Sequence, residues 1–226
     1  MTLLFLPGMM CDARLFAPQI AVLGNVTVGD LSGADTIAGM AQAVLAAAPA
    51  RFALAGLSLG GIVAMEIIRQ APERVVKLAL MDTNHLAELP EVRAAREPQI
   101  LAAKTGGLRA VMRDEMKPRY LVDSLSKPAI LTLCMDMADT LGPQVFVRQS
   151  RALQSRIDST QTLLRTRLPA MILCGAHDTL CPPERHRQMQ ELMPNADLHI
   201  IQNAGHLPCL EQPDITTNHL KNWLET

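Results

Sequence analysis

The stretch LAGLSLGGIV, Leu54 to Val63, decides the reading of this chain. It sets one hydroxyl, Ser58, in an aliphatic run and crowds glycines around it. Two accounts compete. In the first, a strand ends, a helix begins and Ser58 caps the helix. In the second, Ser58 is a nucleophile on a sharp strand-to-helix turn. Gly56-Leu57-Ser58-Leu59-Gly60 fits the G-x-S-x-G pattern of a nucleophile elbow, with an apolar strand before it and a helix after. Such a turn strains the backbone at the serine and leaves little room beside it. Gly56 and Gly60 supply that room, and Gly61 lets the helix lie close to a sheet. The helix N-terminus then adds partial positive charge beneath a developing oxyanion.

Working outward, strands and helices alternate, which predicts a parallel sheet covered on both faces. The expected strands are Thr2–Leu6, VTVGDL, RFALAGL, VVKLALMD, Ala170–Cys174 and ADLHIIQNAGH. The expected helices cover about Arg14–Leu23, Thr36–Ala48, the segment from Ser58 through Gln70, Pro183–Met193 and PDITTNHLKNWLE. The rhythm breaks between 84 and 167, which reads as amphipathic helices split near Pro90, Pro98, Gly106–Gly107, Pro118, Pro128 and Gly142–Pro143. The domain reading is a core of residues 1–83 and 168–226, with a helical cap inserted at 84–167. The two parts differ in charge. Residues 84–167 carry thirteen Lys/Arg and nine Asp/Glu, net +4, and the remainder carries eight and thirteen, net −5. Solvated helix faces would account for that excess, and so would a cap that favours anionic substrates.

Composition narrows the class. With 226 residues, 49% of them hydrophobic and 19% charged, the chain builds one large domain, or one domain with an insertion. Aromatics are only 3%, so the core is aliphatic and thioether-rich. A net charge of −1 argues against nucleic acid and anionic membrane surfaces as partners. Five irregularly spaced cysteines include no CxxC pair, which argues against a zinc cluster, a thioredoxin-like site or a disulfide framework. Free thiols suit a reducing cytoplasm. The start, MTLLFLPGMMCDA, lacks the charged region of a signal peptide, and no segment reaches 18 apolar residues, so no membrane span is expected.

A serine needs a base, and the base needs orientation. In an open parallel fold both belong at the carboxyl edge of the sheet. Of six histidines, His206 in NAGHLPCLEQP lies just past the last strand and is the expected base. His177 and His85 also follow strands, while His186, His199 and His219 read as packing or surface residues. Asp178, after MILCGAH, is the expected orienting acid. Asp82, at the end of LALMD, is its rival, and chain order does not separate the two. An oxyanion hole needs two convergent backbone N–H groups. Leu59, after the nucleophile, supplies one, and Met9 supplies the other, with Gly8 turning the loop after the first strand.

Together these motifs resemble the α/β-hydrolase superfamily, in the manner of its small carboxylesterase and lactonase-like members. The matching stretches are LLFLPGMMCDARLF, GLSLGG, MILCGAHDTLCPP and NAGHLPCLEQP. The insertion occupies the position of the family's cap. Two features depart from the pattern. Pro7-Gly8 stands where many members have His-Gly, and no antiparallel hairpin precedes the first strand, so the sheet is expected to be shorter at one edge.

The resemblance implies acyl transfer from a small ester substrate by Ser58, His206 and Asp178, with no metal or organic cofactor. Thioesterase, lactonase, C–C hydrolase and lyase chemistry use the same triad, and a non-catalytic ligand-binding protein could reuse the pocket. Leu86, Leu89, Met112, Met116, Leu121, Met135, Met137 and Phe146 are the candidates for an apolar acyl pocket or for cap packing. Cys181 and Cys209, close to Asp178 and His206 in sequence, read as small buried residues. Nothing in the sequence speaks to oligomeric state.

Overall fold

The computed structural model describes residues 1–226. Six strands form one sheet: β1 (Leu3–Leu6), β2 (Val26–Val28), β3 (Phe52–Leu57), β4 (Val75–Met81), β5 (Ala170–Gly175) and β6 (Ala196–Ile201). Their order is β2-β1-β3-β4-β5-β6 and every pairing is parallel. The inner strands β1, β3 and β5 are buried along their whole length, as strands covered on both faces must be. The edge strands β2 and β6 are half-exposed.

The helices are α1 (Ala17–Leu23), α2 (Ile37–Ala47), α3 (Leu59–Gln70), α4 (Pro90–Ala102), α5 (Leu108–Ala110), α6 (Lys127–Gln154), α7 (Thr160–Arg165), α8 (Pro183–Leu192), α9 (Pro208–Glu211) and α10 (Pro213–Glu225). Alternation along the strands sorts the core into two layers. Leu4, Leu6, Leu54 and Ile172 pack under α2, α3 and α8. Leu3, Phe5, Ala55 and Leu173 pack with α9 and α10 on the other face. Leu54 is fully buried, and truncating such a side chain to alanine costs about 2–5 kcal/mol.

Two local details differ from the sequence reading. The first predicted helix is two pieces, a 3₁₀ turn at Ala13–Phe16 capped by the Asp12 carboxylate and then α1. Pro18, which has no N–H to give, fits only the first turn, so α1 begins beside it. Pro98 does not split its helix. It lies inside α4 on an exposed face, where water can take the carbonyl that proline leaves unbonded. The expected break at Gly142–Pro143 is present: Gly142, at φ 79° and ψ 175°, leaves the helical backbone, so α6 is two helical stretches that meet there at a kink.

The regular structure between β4 and β5 is all helical, with no strand. Because all six strands are parallel, their carboxyl ends share one edge. The loops after β1, β3, β4, β5 and β6 bring Met9, Ser58, Asp82, Asp178 and His206 to that edge.

Candidate active site

Ser58 lies between β3 and α3 with φ 56° and ψ −115°. A non-glycine residue there costs of order 1–2 kcal/mol, so packing must hold it. A Cβ at Gly56 would run into the backbone of Gly60, and one at Gly60 into the carbonyl of Leu6. Glycine at both positions therefore lets α3 press against β3 and against the loop leaving β1. Ser58 stands at the N-cap position of α3, yet its hydroxyl makes no capping bond. The helix-cap account of this serine fails on that observation. The hydroxyl lies 3.0 Å from His206 Nε2 instead.

His206 Nδ1 lies 2.8 Å from Asp178 Oδ2. A carboxylate only accepts, which assigns the proton to Nδ1 and leaves Nε2 to accept from the Ser58 hydroxyl. The other carboxylate oxygen, Asp178 Oδ1, accepts from the N–H groups of Leu180 and Cys181 at 2.8 and 3.0 Å. Burial alone would raise this carboxyl. The His206 ring and the two backbone N–H groups outweigh it and hold Asp178 below the ordinary carboxylate range.

Asp82, the rival acid, is fully buried, and its Oδ1 accepts from Gly175 N–H at 2.9 Å. Its Oδ2 has no partner, and the structure gives Asp82 no bond to His206. Burial first, and then the nearby Asp178 charge, push the Asp82 carboxyl well above its ordinary value. The two neighbouring carboxyls are thus shifted in opposite directions. The other histidines stand apart from Ser58. His177 lines an open hollow with Asp123 and Lys127. His85 is buried, and His199 stacks on His219 at 4.0 Å.

The loop after β1 carries Gly8 and Met9. Neither the Met9 nor the Leu59 N–H takes part in a turn, cap or loop hydrogen bond. The next residue, Met10, holds φ 57°, and its N–H donates to Gln149 Oε1 of α6 at 2.8 Å.

Three buried polar residues that sequence reasoning missed each brace one loop of the site. Gln149 braces the loop after β1. Thr83 braces the elbow: its hydroxyl donates to the Ser58 carbonyl at 2.7 Å, and its N–H donates to His186 Nε2 at 3.0 Å. Glu211 braces the His206 loop, accepting from the N–H groups of Gly205, Leu207 and Val122 at 2.9, 3.2 and 2.8 Å. The signal present for Glu211 is its place one turn beyond His206. Gln149 and Thr83 carry no local signal, since their partners are distant in sequence.

Ser58 and His206 lie on the wall of a cavity of about 530 Å³ that also includes Gly8 and Met9. Of the proposed acyl-pocket residues, Leu86, Leu89 and Met116 line it. Met112, Leu121, Met135, Met137 and Phe146 do not line it and are buried, Leu121 beside the open hollow that His177 lines. Cys209 is buried as expected, whereas Cys181 is only half-buried and lines the cavity. Asp178, Cys181 and His206 form the one cluster with metal-ligand spacing. Asp178 and His206 are engaged with each other, and loss of water around the sulfur, with the Asp178 and Asp82 charges, pushes the Cys181 thiol up, which suits a metal poorly.

The all-parallel sheet and the strained serine turn at its carboxyl edge define an α/β hydrolase. Residues 3–218 match the model of the Alpha/beta hydrolase family, and the chain belongs to that family. It is 28% identical to a pimeloyl-[acyl-carrier protein] methyl ester esterase of Klebsiella pneumoniae, over 93% of this chain and 88% of that protein. A thermophilic esterase from Thermogutta terrifontis superposes with a TM-score of 0.91 and 27% identity, covering 100% of this chain and 89% of the other. The enol-lactonase of Burkholderia xenovorans superposes with a TM-score of 0.85 at 22% identity, covering 100% and 92%, which is a likeness of fold.

Proposed function

We propose that this protein is a serine hydrolase of small carboxylic esters working through an acyl-enzyme. The observation that carries the reading is the unbroken line from Ser58 Oγ through the His206 ring to Asp178, with steps of 3.0 and 2.8 Å, at the wall of a cavity. The named esterases among its relatives support an ester as the substrate.

In this mechanism Ser58 attacks the ester carbonyl while His206 Nε2 takes its proton. Asp178 holds the imidazole in the required tautomer and stabilises the imidazolium. The Met9 and Leu59 N–H groups receive the developing oxyanion, which is the step where pre-aimed donors lower a barrier most. His206 then protonates the departing alcohol and activates water for deacylation. No step calls for a metal or organic cofactor. Residues 84–167 act as the cap that shapes the acyl side of the cavity. The five free cysteines suit work in a reducing compartment such as the cytoplasm, and no helix is long and apolar enough to cross a membrane.

The test is labelling by a fluorophosphonate probe, read by mass spectrometry, together with turnover of short p-nitrophenyl esters. Adduct at Ser58, and turnover abolished in Ser58→Ala, is the expected result. A folded wild-type protein that neither labels nor turns over any ester would refute the reading.

A further inference from the structure

The cavity wall holds more positive charge than its own residues neutralise. Glu88 sits on that wall with its side chain only 1% exposed. It accepts from Arg96 Nε and Nη2 at 2.7 and 2.9 Å, and from Arg156 Nη1 at 2.8 Å. The two guanidinium side chains are 15% and 11% exposed. One carboxylate thus faces two permanent cations. A buried charge without a counter-charge is unfavourable, and it persists where a ligand supplies the balance.

The surroundings do not cancel the excess. The other charged residues lining the cavity are Arg119, Arg185, Glu91 and Glu115, two of each sign. Donor capacity is also left over. Arg96 Nη1 has only the thioether of Met9 as an acceptor, at 3.9 Å. Arg156 spends Nε on the Leu86 carbonyl at 3.0 Å and Nη1 on Glu88, leaving Nη2 unbonded. Burial pushes the Arg156 guanidinium down, and the neighbouring Arg96 and Arg185 push the same way against the pull of Glu88.

We propose that Arg96 and Arg156 form a subsite for a single carboxylate on the substrate, distinct from the ester that is cleaved. The proposal rests on the ester-hydrolase reading and names its substrate class: a half-ester, an ester molecule that also bears one free carboxylate. A planar carboxylate matches guanidinium donors in shape, and one negative charge matches an excess of one. Arg96 touches Met9, whose N–H is assigned to the oxyanion. Carboxylate and scissile carbonyl are therefore joined by a short chain. A cap with net charge +4 over a core with net charge −5 would steer such anions to this wall.

The experiment compares kcat/KM for charged and neutral esters of equal length. On the acyl side, monomethyl glutarate and monomethyl adipate are set against methyl pentanoate and methyl hexanoate. On the alcohol side, the butyrate ester of glycolate is set against ethyl butyrate. The wild type is expected to prefer the charged member of at least one arm by about tenfold or more, as a desolvated charge pair provides. Whichever arm responds tells which side of the ester carries the anion.

Arg156→Gln and Arg96→Gln each leave Glu88 with one partner and remove the excess charge, so either should bring the ratio to about one. Glu88→Gln enlarges the excess and should raise the ratio. Because each value is a ratio within one variant, a general loss of activity cancels. Calorimetric titration with glutarate reads the same site without turnover, with binding expected in the wild type and lost in Arg156→Gln. Neutral esters turned over with no charged preference in either arm, or a preference unmoved by both arginine variants, would overturn the subsite alone. Absence of all turnover would overturn the ester reading, and glutarate binding would then decide the subsite by itself.

Discussion

The hydroxyl of Thr83 donates a 2.7 Å hydrogen bond to the carbonyl of Ser58. It joins the loop leaving β4 to the residue at the tip of the elbow after β3. Gly61 makes the contact possible, since a Cβ there would collide with the Thr83 side chain. The N–H of Thr83 is held in turn by the fully buried His186. The strained serine backbone is therefore braced from the neighbouring strand.

Thr83→Val keeps the shape and deletes the donor. We expect a stability loss of about 1 kcal/mol and a several-fold fall in kcat that exceeds any change in KM, since the hydroxyl is spent on the Ser58 carbonyl. Thr83→Ser keeps the hydroxyl and should restore kcat. Equal kcat in wild type and Thr83→Val would refute the brace.

Asp82 and Asp178 separate under one pair of substitutions. Asp178→Asn should lower kcat by roughly 10³–10⁴-fold, because the imidazole loses the carboxylate that sets its tautomer. Asp82→Asn changes a carboxyl that makes no bond to His206 and should keep kcat within a few-fold. The stability effect follows from the sign of the shift. A carboxyl raised on folding contributes stability at low pH and loses it as pH rises above about 4. Asp82→Asn should therefore be more stable than wild type at pH 8 and gain little at pH 4, measured by thermal melts.

His186 predicts the acid limit. Its Nε2 accepts from Thr83, and burial lowers its imidazole from an ordinary value of 6.5 to about 4. The unfolded chain then binds a proton between those values that the folded one does not, so stability falls as pH drops from 6.5 to 4. The loss should reach about 3 kcal/mol. His186→Gln, which can keep a side-chain acceptor near Thr83, should flatten that part of the pH–stability curve in chemical denaturation.

Glu211 ties the His206 loop, through Val122, to the loop that precedes α6. Glu211→Gln must turn an amide donor toward at least one of the three N–H groups it now accepts. We expect a cost of about 1–3 kcal/mol and a melting temperature lower by about 2–4 °C for each kcal/mol. Mobility at His206 should lower kcat more than it raises KM. An unchanged melting temperature would show that the loop needs no such tie.

The architecture was legible because its signals are local. Buried parallel strands read as short apolar runs, the elbow glycines lie within five residues, and parallel strand ends must share an edge. That logic puts Ser58, Asp178, His206, Met9 and Leu59 on one rim. Pro98 was misread because a proline's effect on a helix depends on whether water reaches the freed carbonyl, which is a property of burial.

What only the tertiary structure decided is which acid meets the histidine, what braces each loop, and what charge faces the cavity. Asp82 and Asp178 end adjacent strands and look alike in sequence. Folding leaves Asp82 on the N–H of Gly175 and puts Asp178 against His206. Glu88, Arg96 and Arg156 span nearly seventy residues, and their excess of one positive charge exists only once α4 and the end of α6 converge. Short-range pattern sets where the chain turns. Pairing of buried polar groups is long-range, because each must find its partner wherever the packed chain puts one.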